Sequence, residues 1–427
     1  MTYSQYKRLV FEDRNLLGFG CLMTFYSSVG QTFMVGVFGP SIQVDFNLSH
    51  TTWGTMYMIG TLASGAVLTW SGSLIDRVRL PVYALSVCGL IVSACGLTAF
   101  VSGPVGLILC IFLLRHSGQG LASHTASISM TRYFVRNRGR AIAIASLGEA
   151  AGQAILPFLA LASITAIGWR WTYGWLGIII GITSIPTILR LLRGWDKLHK
   201  AHQERFDVKD SEDNSASSWT RQQVLWDPRF YLMLPGLVAP GFIGTALFFN
   251  HLNIADAKGW EASWITGNYV IYAVVVVGSM LASGALVDRF SARMVVQYML
   301  IPLVAGLVMI GFGDHRLWFT PYMIILAIHW GMAKNSTSAI WPELYGIGHL
   351  GAIKSMYFAL AVVSSAFGPV IFGILIDHEL SIRNICLLLA TYAILCNVVL
   401  VVTLRTGKKR NGKNLINLRA WCQIYLQ

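Results

Sequence analysis

The chain has 427 residues, of which 55% are hydrophobic and only 12% charged, with a mean hydropathy of +0.59. No water-soluble core of this size needs so much apolar surface, so the solvent for most of the chain is lipid. The net charge of +13 invites a nucleic-acid partner, and the location of the 32 Lys and Arg residues excludes one.

Apolar stretches of about 20 residues, the length that crosses a hydrocarbon layer of about 30 Å, recur from Leu16 to Leu404. They predict helices over 16–38, 51–72, 81–101, 104–131, 139–162, 170–192, 229–250, 262–286, 293–312, 317–341, 352–376 and 382–404. The expected fold is an all-α membrane protein, with twelve transmembrane helices in two pseudo-symmetric six-helix bundles. The bundles occupy 1–192 and 229–404, joined by a polar linker over 193–228 and followed by a basic tail over 405–427. With the amino terminus in the cytoplasm, the basic residues outside the spans crowd onto the cytoplasmic side. Arg170, Lys258, Arg316 and Arg383 alone fall outside, as the positive-inside rule expects. The tail, with Lys408, Lys409, Arg410 and Lys413 ahead of Leu415, Ile416, Leu418 and Trp421, suits either an amphipathic segment on anionic lipid or a disordered end. The first helix itself directs insertion, since the charges of residues 1–15 lead into a run longer than a signal core. The seven cysteines lie almost wholly in apolar runs, without metal spacing, and read as packing residues.

The most specific signal is an internal repeat. Ser71–Arg77 (SGSLIDR) closes the second span and Ser283–Arg289 (SGALVDR) closes the eighth, 212 positions later, and Pro157 has Pro369 at the same offset. Trp53 and Trp264 open these two spans within one residue of it, and His116-Ser117-Gly118 loosely matches His329-Trp330-Gly331. Two copies of a six-helix unit in parallel orientation form the layout in which a site lies on the pseudo-twofold axis and the halves rock about it.

On these residues the chain resembles a transporter of the major facilitator superfamily across Leu16 to Leu404. The G-x-L-x-D-R signature is read at Gly72, Leu74, Asp76 and Arg77, with its second copy at Gly284, Leu286, Asp288 and Arg289. The signature departs from the family pattern where Val78-Arg79-Leu80-Pro81 follows. A second family motif is similar to Arg115, Gln119 and Gly120, with one extra residue in the spacing. Within the family, spans one, four and five look nearest to the bacterial monocarboxylate and oxalate/formate type carriers. The resemblance implies gating by Asp76, Arg77, Asp288 and Arg289, with the first motif latching the outward-facing state through loop arginines such as Arg136, Arg138 or Arg140. The alternative for these carboxylates is a solvated charge at the membrane boundary.

Arg115 stands about ten residues into span four, where an ionised side chain must be paired or watered, and therefore faces the interior. Glu149, about ten residues into span five, reaches a similar depth. The two suit a substrate-binding arginine with a proton-carrying carboxylate, or an ion pair that only fixes packing. Lys334 is the second intramembrane cation, placed to contact an anion or to snorkel towards headgroups or Glu343. Gln31, Thr24 and Ser28 share one face of span one with Tyr26 nearby, and Asn268, Tyr269 and Tyr272 offer hydrogen bonds from span eight, as Asn250 and His251 do unless they lie at the outer surface. His116 and His124 are placed to titrate inside the bundle, although His116 points about 100° away from Arg115, and the preferred reading of both is a packing or hydrogen-bonding role. Gly148-x3-Gly152 and Gly368-Pro369-x3-Gly373 suit close helix packing and flexible bends, with a functional role as the alternative.

No Walker sequence, nucleophile elbow, dinucleotide fingerprint or metal-ligand cluster appears, so neither an enzyme nor a cofactor is expected. The preferred function is proton-coupled uptake of a small organic anion such as a monocarboxylate, by a monomer in a bacterial inner membrane with both termini cytoplasmic. The binding residues would be Arg115, Lys334, Gln31, Tyr26, Asn268 and Tyr272, with Glu149 and His116 handling the proton. The characterised anion carriers of the resembled branch place a key Arg in span eight, and this chain has none between Trp264 and Leu286. An efflux carrier for hydrophobic or cationic compounds and a non-transporting solute receptor are the alternatives.

Overall fold

The computed structural model describes residues 14–134, 138–195, 219–346 and 349–406. The polar stretch 207–218, the basic tail from 408 and Arg136 lie outside the described residues, as does the side chain of Arg138. Among the described residues the chain forms α1 (Arg14–Phe46), α2 (His50–Asp76), α3 (Leu80–Ala99), α4 (Pro104–Tyr133), α5 (Gly139–Ile167), α6 (Trp169–Leu191), α7 (Pro228–Ala257), α8 (Ala262–Phe290), α9 (Ala292–Phe312), α10 (Phe319–Tyr345), α11 (Leu350–Asp377) and α12 (Ile382–Arg405). Eleven are long and apolar enough to cross a membrane. The exception, α10, is long enough but diluted by Lys334, Asn335, Ser336, Thr337 and Ser338. Several helices outrun the predicted spans because polar caps extend them. Asp227 caps α7 through the Arg229 amide at 3.1 Å, and Ser49 caps α2 through the Thr52 amide.

Helix faces turned outward carry exposed Ile182, Val274, Leu281 and Leu395, which only a hydrocarbon solvent tolerates together. Small residues draw the inner faces close. A methyl group added at Gly148 would lie 1.9 Å from the Cys21 carbonyl oxygen, and one at Gly152 would lie 2.1 Å from Ser28 Oγ, so both glycines seat α5 directly on α1.

The halves α1–α6 and α7–α12 meet through α1 with α7, α2 with α11 and α5 with α8. Their tightest seam lies at the end away from the Asp76 and Asp288 connections. There a methyl at Gly36 would lie 2.6 Å from the Phe248 carbonyl oxygen, one at Gly54 2.8 Å from that of Pro369, and one at Gly373 2.5 Å from that of His50. Asp377, ending α11, accepts the His50 and Thr51 amides at 3.1 and 2.8 Å and so caps α2 across the seam.

Two helices depart from regular geometry at the same depth. In α1, Ser28–Gly30 tightens to a 3₁₀ turn and Gln31 is extended (φ −75°, ψ 154°) before the helix resumes at Thr32. In α4, Arg115–Ala122 widens into a π-helix. The irregular segments touch backbone to backbone, since a methyl at Gly118 would lie 2.7 Å from Gly30 Cα.

Candidate functional site

The break in α1 frees the Gly30 carbonyl from the helical ladder beside the Thr32 side chain, and the π-turn of α4 brings Arg115 to both. Arg115 Nη1 donates to Gly30 O and to Thr32 Oγ1, both at 3.2 Å. Thr32 Oγ1 and the Tyr57 hydroxyl share a hydrogen bond of 2.6 Å, and the guanidinium carbon stands 4.8 Å from the Tyr57 ring centre, within cation–π range. Arg115 is only 3% exposed, and its Nε has no hydrogen-bond partner. Among the described residues no carboxylate pairs with it. The contacts that hold its charge among the described residues are neutral oxygens and a π face.

Glu149 does not complete this cluster. It is half-buried on α5, within electrostatic reach of Tyr272 on α8, in the seam between the halves. Tyr272 is itself buried edge-on against Phe248 at 5.1 Å. His116 turns away from Arg115, as helical geometry requires: its Nε2 meets Ser71 Oγ at 3.1 Å and its ring stacks on Phe112. Tyr26 is buried with its hydroxyl on Thr183 of α6 at 2.9 Å, and buried Gln31 lies in the α1 break. Asn268 donates to Trp264 O and accepts from Thr320 Oγ1, which ties α8 to α10. Asn250 and His251 are buried inside the protein, in the last turns of α7. His251 bridges the Tyr269 and Tyr322 hydroxyls, both at 2.9 Å.

Lys334 is exposed, on a face bracketed by two packed neighbours. Trp330 fills the space over Gly244 of α7, and Gly331 lies against Ser279 of α8. The helical wheel places Lys334 and Ser338 between them, and Ser338 Oγ accepts from Lys354 Nζ of α11 at 3.0 Å. Glu343 is engaged elsewhere: it accepts the Ala292 amide at 2.8 Å and pairs with Arg293 at 3.3 Å, capping α9.

At the two signature connections, Asp76 pairs with Arg132 of α4, while Asp288 makes no ion pair among the described residues and Arg289 lies over the Phe290 ring. The ion pair of the second half is therefore built differently, with the acid on α10 and the base at the start of α9.

Three features have no sequence precedent in the expectations above. Tyr57 and Thr32 form the Arg115 shell, Phe249 of α7 covers Trp53 and Tyr57, and Asp377 spans the seam. The available signal was weak. Trp53 and Tyr57 stand four residues apart on one face of α2, and Asp377 is an acid at a helix end. Among the described residues no three potential metal ligands cluster.

The model of the Major Facilitator Superfamily matches residues 20–361. The chain belongs to this superfamily. Its expected fold, two six-helix bundles of a non-enzymatic secondary transporter, stands on that match and on the helices described above. Among superfamily relatives, YcxA of Bacillus subtilis (strain 168), described as an uncharacterized MFS-type transporter, is 23% identical over 347 residues, covering 78% of this chain and 81% of YcxA. The quinolone resistance protein NorB of Staphylococcus aureus (strain JH9) is 28% identical over 177 residues, which are 40% of this chain and 36% of NorB. Two solved structures share the superfamily fold. A mutant of the nucleoside transporter NupG has a TM-score of 0.71 at 10% identity, covering 91% of this chain and 99% of that one. A bacterial homolog of the human lysosomal transporter Spinster, inward-facing and unoccupied, has a TM-score of 0.61 at 14% identity, covering 92% and 94%.

Proposed function

We propose that the chain takes up a small organic anion, such as a monocarboxylate, together with a proton. The observation that carries this reading is the Arg115 charge, buried at mid-membrane with its Nε–H unpartnered and no acidic partner among the described residues. An ionised side chain at that depth costs about 2.5–3.5 kcal/mol, and an arriving carboxylate offsets the cost where a cation adds to it. Lys334 supplies a second positive group from the other half, while Glu149, apart from Arg115 and beside Tyr272, carries the proton. Arg115 and Glu149 then act in separate pockets, one for the anion and one for its proton.

In this reading the bundles 1–192 and 229–404 rock as units about the site on the pseudo-twofold axis. The basic side, with both termini, faces the cytoplasm of a bacterium, so the tight seam closes the outer end. The protein works as a monomer. Asp76 with Arg77, and Asp288 with Arg289, govern opening at the cytoplasmic end, and the Asp76–Arg132 pair is the element that changes partners.

The test is uptake of labelled carboxylates, amino acids and sugars into proteoliposomes under an inward proton gradient, with protein-free vesicles subtracted. Gradient-dependent carboxylate accumulation that vanishes in Arg115→Gln is the expected result, and a carboxylate-silent wild type ends the proposal. The partial likeness to NorB favours a second reading, efflux. Extrusion of a quinolone by everted vesicles, insensitive to Arg115→Gln, would select it.

A further inference from the structure

Trp53 and Tyr57 lie one turn apart on α2, and a single ring from the other half covers both. Phe249 of α7 stacks on Trp53 at 5.7 Å with 26° between the planes and meets Tyr57 at 4.7 Å. All three rings are buried, and the indole N–H edge of Trp53 is tucked against Gly39 of α1, so that the indole face is what Phe249 meets. The Arg115 guanidinium stands 4.8 Å from the same Tyr57 ring, with its Nε unpartnered.

Phe249 belongs to the half that moves. When the outer end opens, α7 withdraws from α2 and Phe249 leaves with it. What stays on the first half is an indole face, a phenol ring with its hydroxyl, Thr32 and an uncompensated guanidinium. Water satisfies the guanidinium, but it leaves the two aromatic faces wet. A short aliphatic carboxylate does the same.

We infer that the substrate is an aromatic carboxylate, whose ring takes the place of Phe249 against Trp53 and Tyr57 while its carboxylate meets Arg115. This inference rests on the reading that Arg115 binds a carboxylate. Phe249 is then the plug that refills the aromatic slot as the ring is pushed from it towards the basic side, so that the slot empties as the outer end closes.

The experiment compares labelled benzoate with labelled lactate in proteoliposomes under an inward proton gradient, protein-free vesicles subtracted, for wild type, Trp53→Ala and Trp53→Phe. Wild type should show a KM for benzoate about three- to tenfold below that for lactate, the factor expected of one or two aromatic contacts. Trp53→Ala should shrink that preference and Trp53→Phe should restore it. Equal KM values for the two acids in wild type overturn the aromatic slot and leave the anion reading standing, as does a preference that Trp53→Ala leaves intact. A wild type that transports neither acid removes both. The wild-type ratio decides the matter even where Trp53→Ala fails to fold.

Discussion

A guanidinium at mid-membrane has to be held by something, and at Arg115 the holders are neutral: a carbonyl, a hydroxyl and a phenol ring. Such a shell solvates the charge without cancelling it, which leaves Coulombic attraction for a ligand. Arg115→Lys keeps the charge and loses the planar fork, so it should raise the KM for a transported carboxylate about 10- to 100-fold, the worth of a charge-assisted hydrogen bond. The concentration dependence of uptake reads this directly. Glu149→Gln removes the proposed proton site and leaves Arg115 in place. The variant should still exchange substrate down its gradient and should lose accumulation driven by a proton gradient, which counterflow and driven uptake separate. Both residues were legible in the sequence, because a charge inside an apolar run announces itself. Their separation was not, since it depends on which way each helix is rotated. Tyr57 and Phe249 were not legible either. An aromatic residue in an apolar span looks the same whether it fills a core or closes a seam, and the partner that decides lies far along the chain.

At the scale of elements, the irregular turns of α1 and α4 explain why the site exists. A continuous α1 would bury the Gly30 carbonyl in its own ladder and deny Arg115 an acceptor. The turns nest only because two glycines meet: a methyl at Gly30 would lie 2.0 Å from the Leu114 carbonyl oxygen. Gly30→Ala must therefore push α1 from α4. Overpacking of this kind costs about 1–3 kcal/mol, which should appear as a lower melting temperature in detergent, together with weaker carboxylate uptake. Gly139→Ala, where the added methyl meets nothing, serves as the control. In α4 the sequence pointed to Arg115 with Gln119 and Gly120, and not to the widened turn that carries them. The break in α1 was not legible, because Ser28 and Gln31 extend a helical polar face and give no sign of interruption.

For the whole molecule, the seam at one end sets which face the pathway opens towards. Asp377 ties that seam by capping a helix of the opposite half, a contact worth about 0.5–2 kcal/mol by analogy with ordinary caps. Asp377→Ala should shift the balance towards the outward-open form about 2- to 30-fold, and spin labels on the outer ends of α2 and α11 should then report a larger population of long distances. An unchanged distance distribution would remove Asp377 from the gate. The twofold repeat was legible from its motif, yet the halves use it unequally. Asp76 pairs with an arginine of α4, whereas Glu343 of α10 holds the start of α9 and Asp288 has no ion pair among the described residues. Trp53 closes the seam, while its counterpart Trp264 ties α8 to the Arg316 carbonyl. A repeat in sequence fixes equivalent places and leaves their partners free.

The composition of α10 bears on how the protein is made. A helix carrying Lys334, Asn335 and a run of hydroxyls partitions poorly from the translocon into lipid by itself. Its Asn335 amide donates to Met280 O and Ser283 Oγ of α8. α10 is therefore expected to enter the bilayer beside the already synthesised α8, which satisfies Asn335, so that the second half assembles as a group of helices.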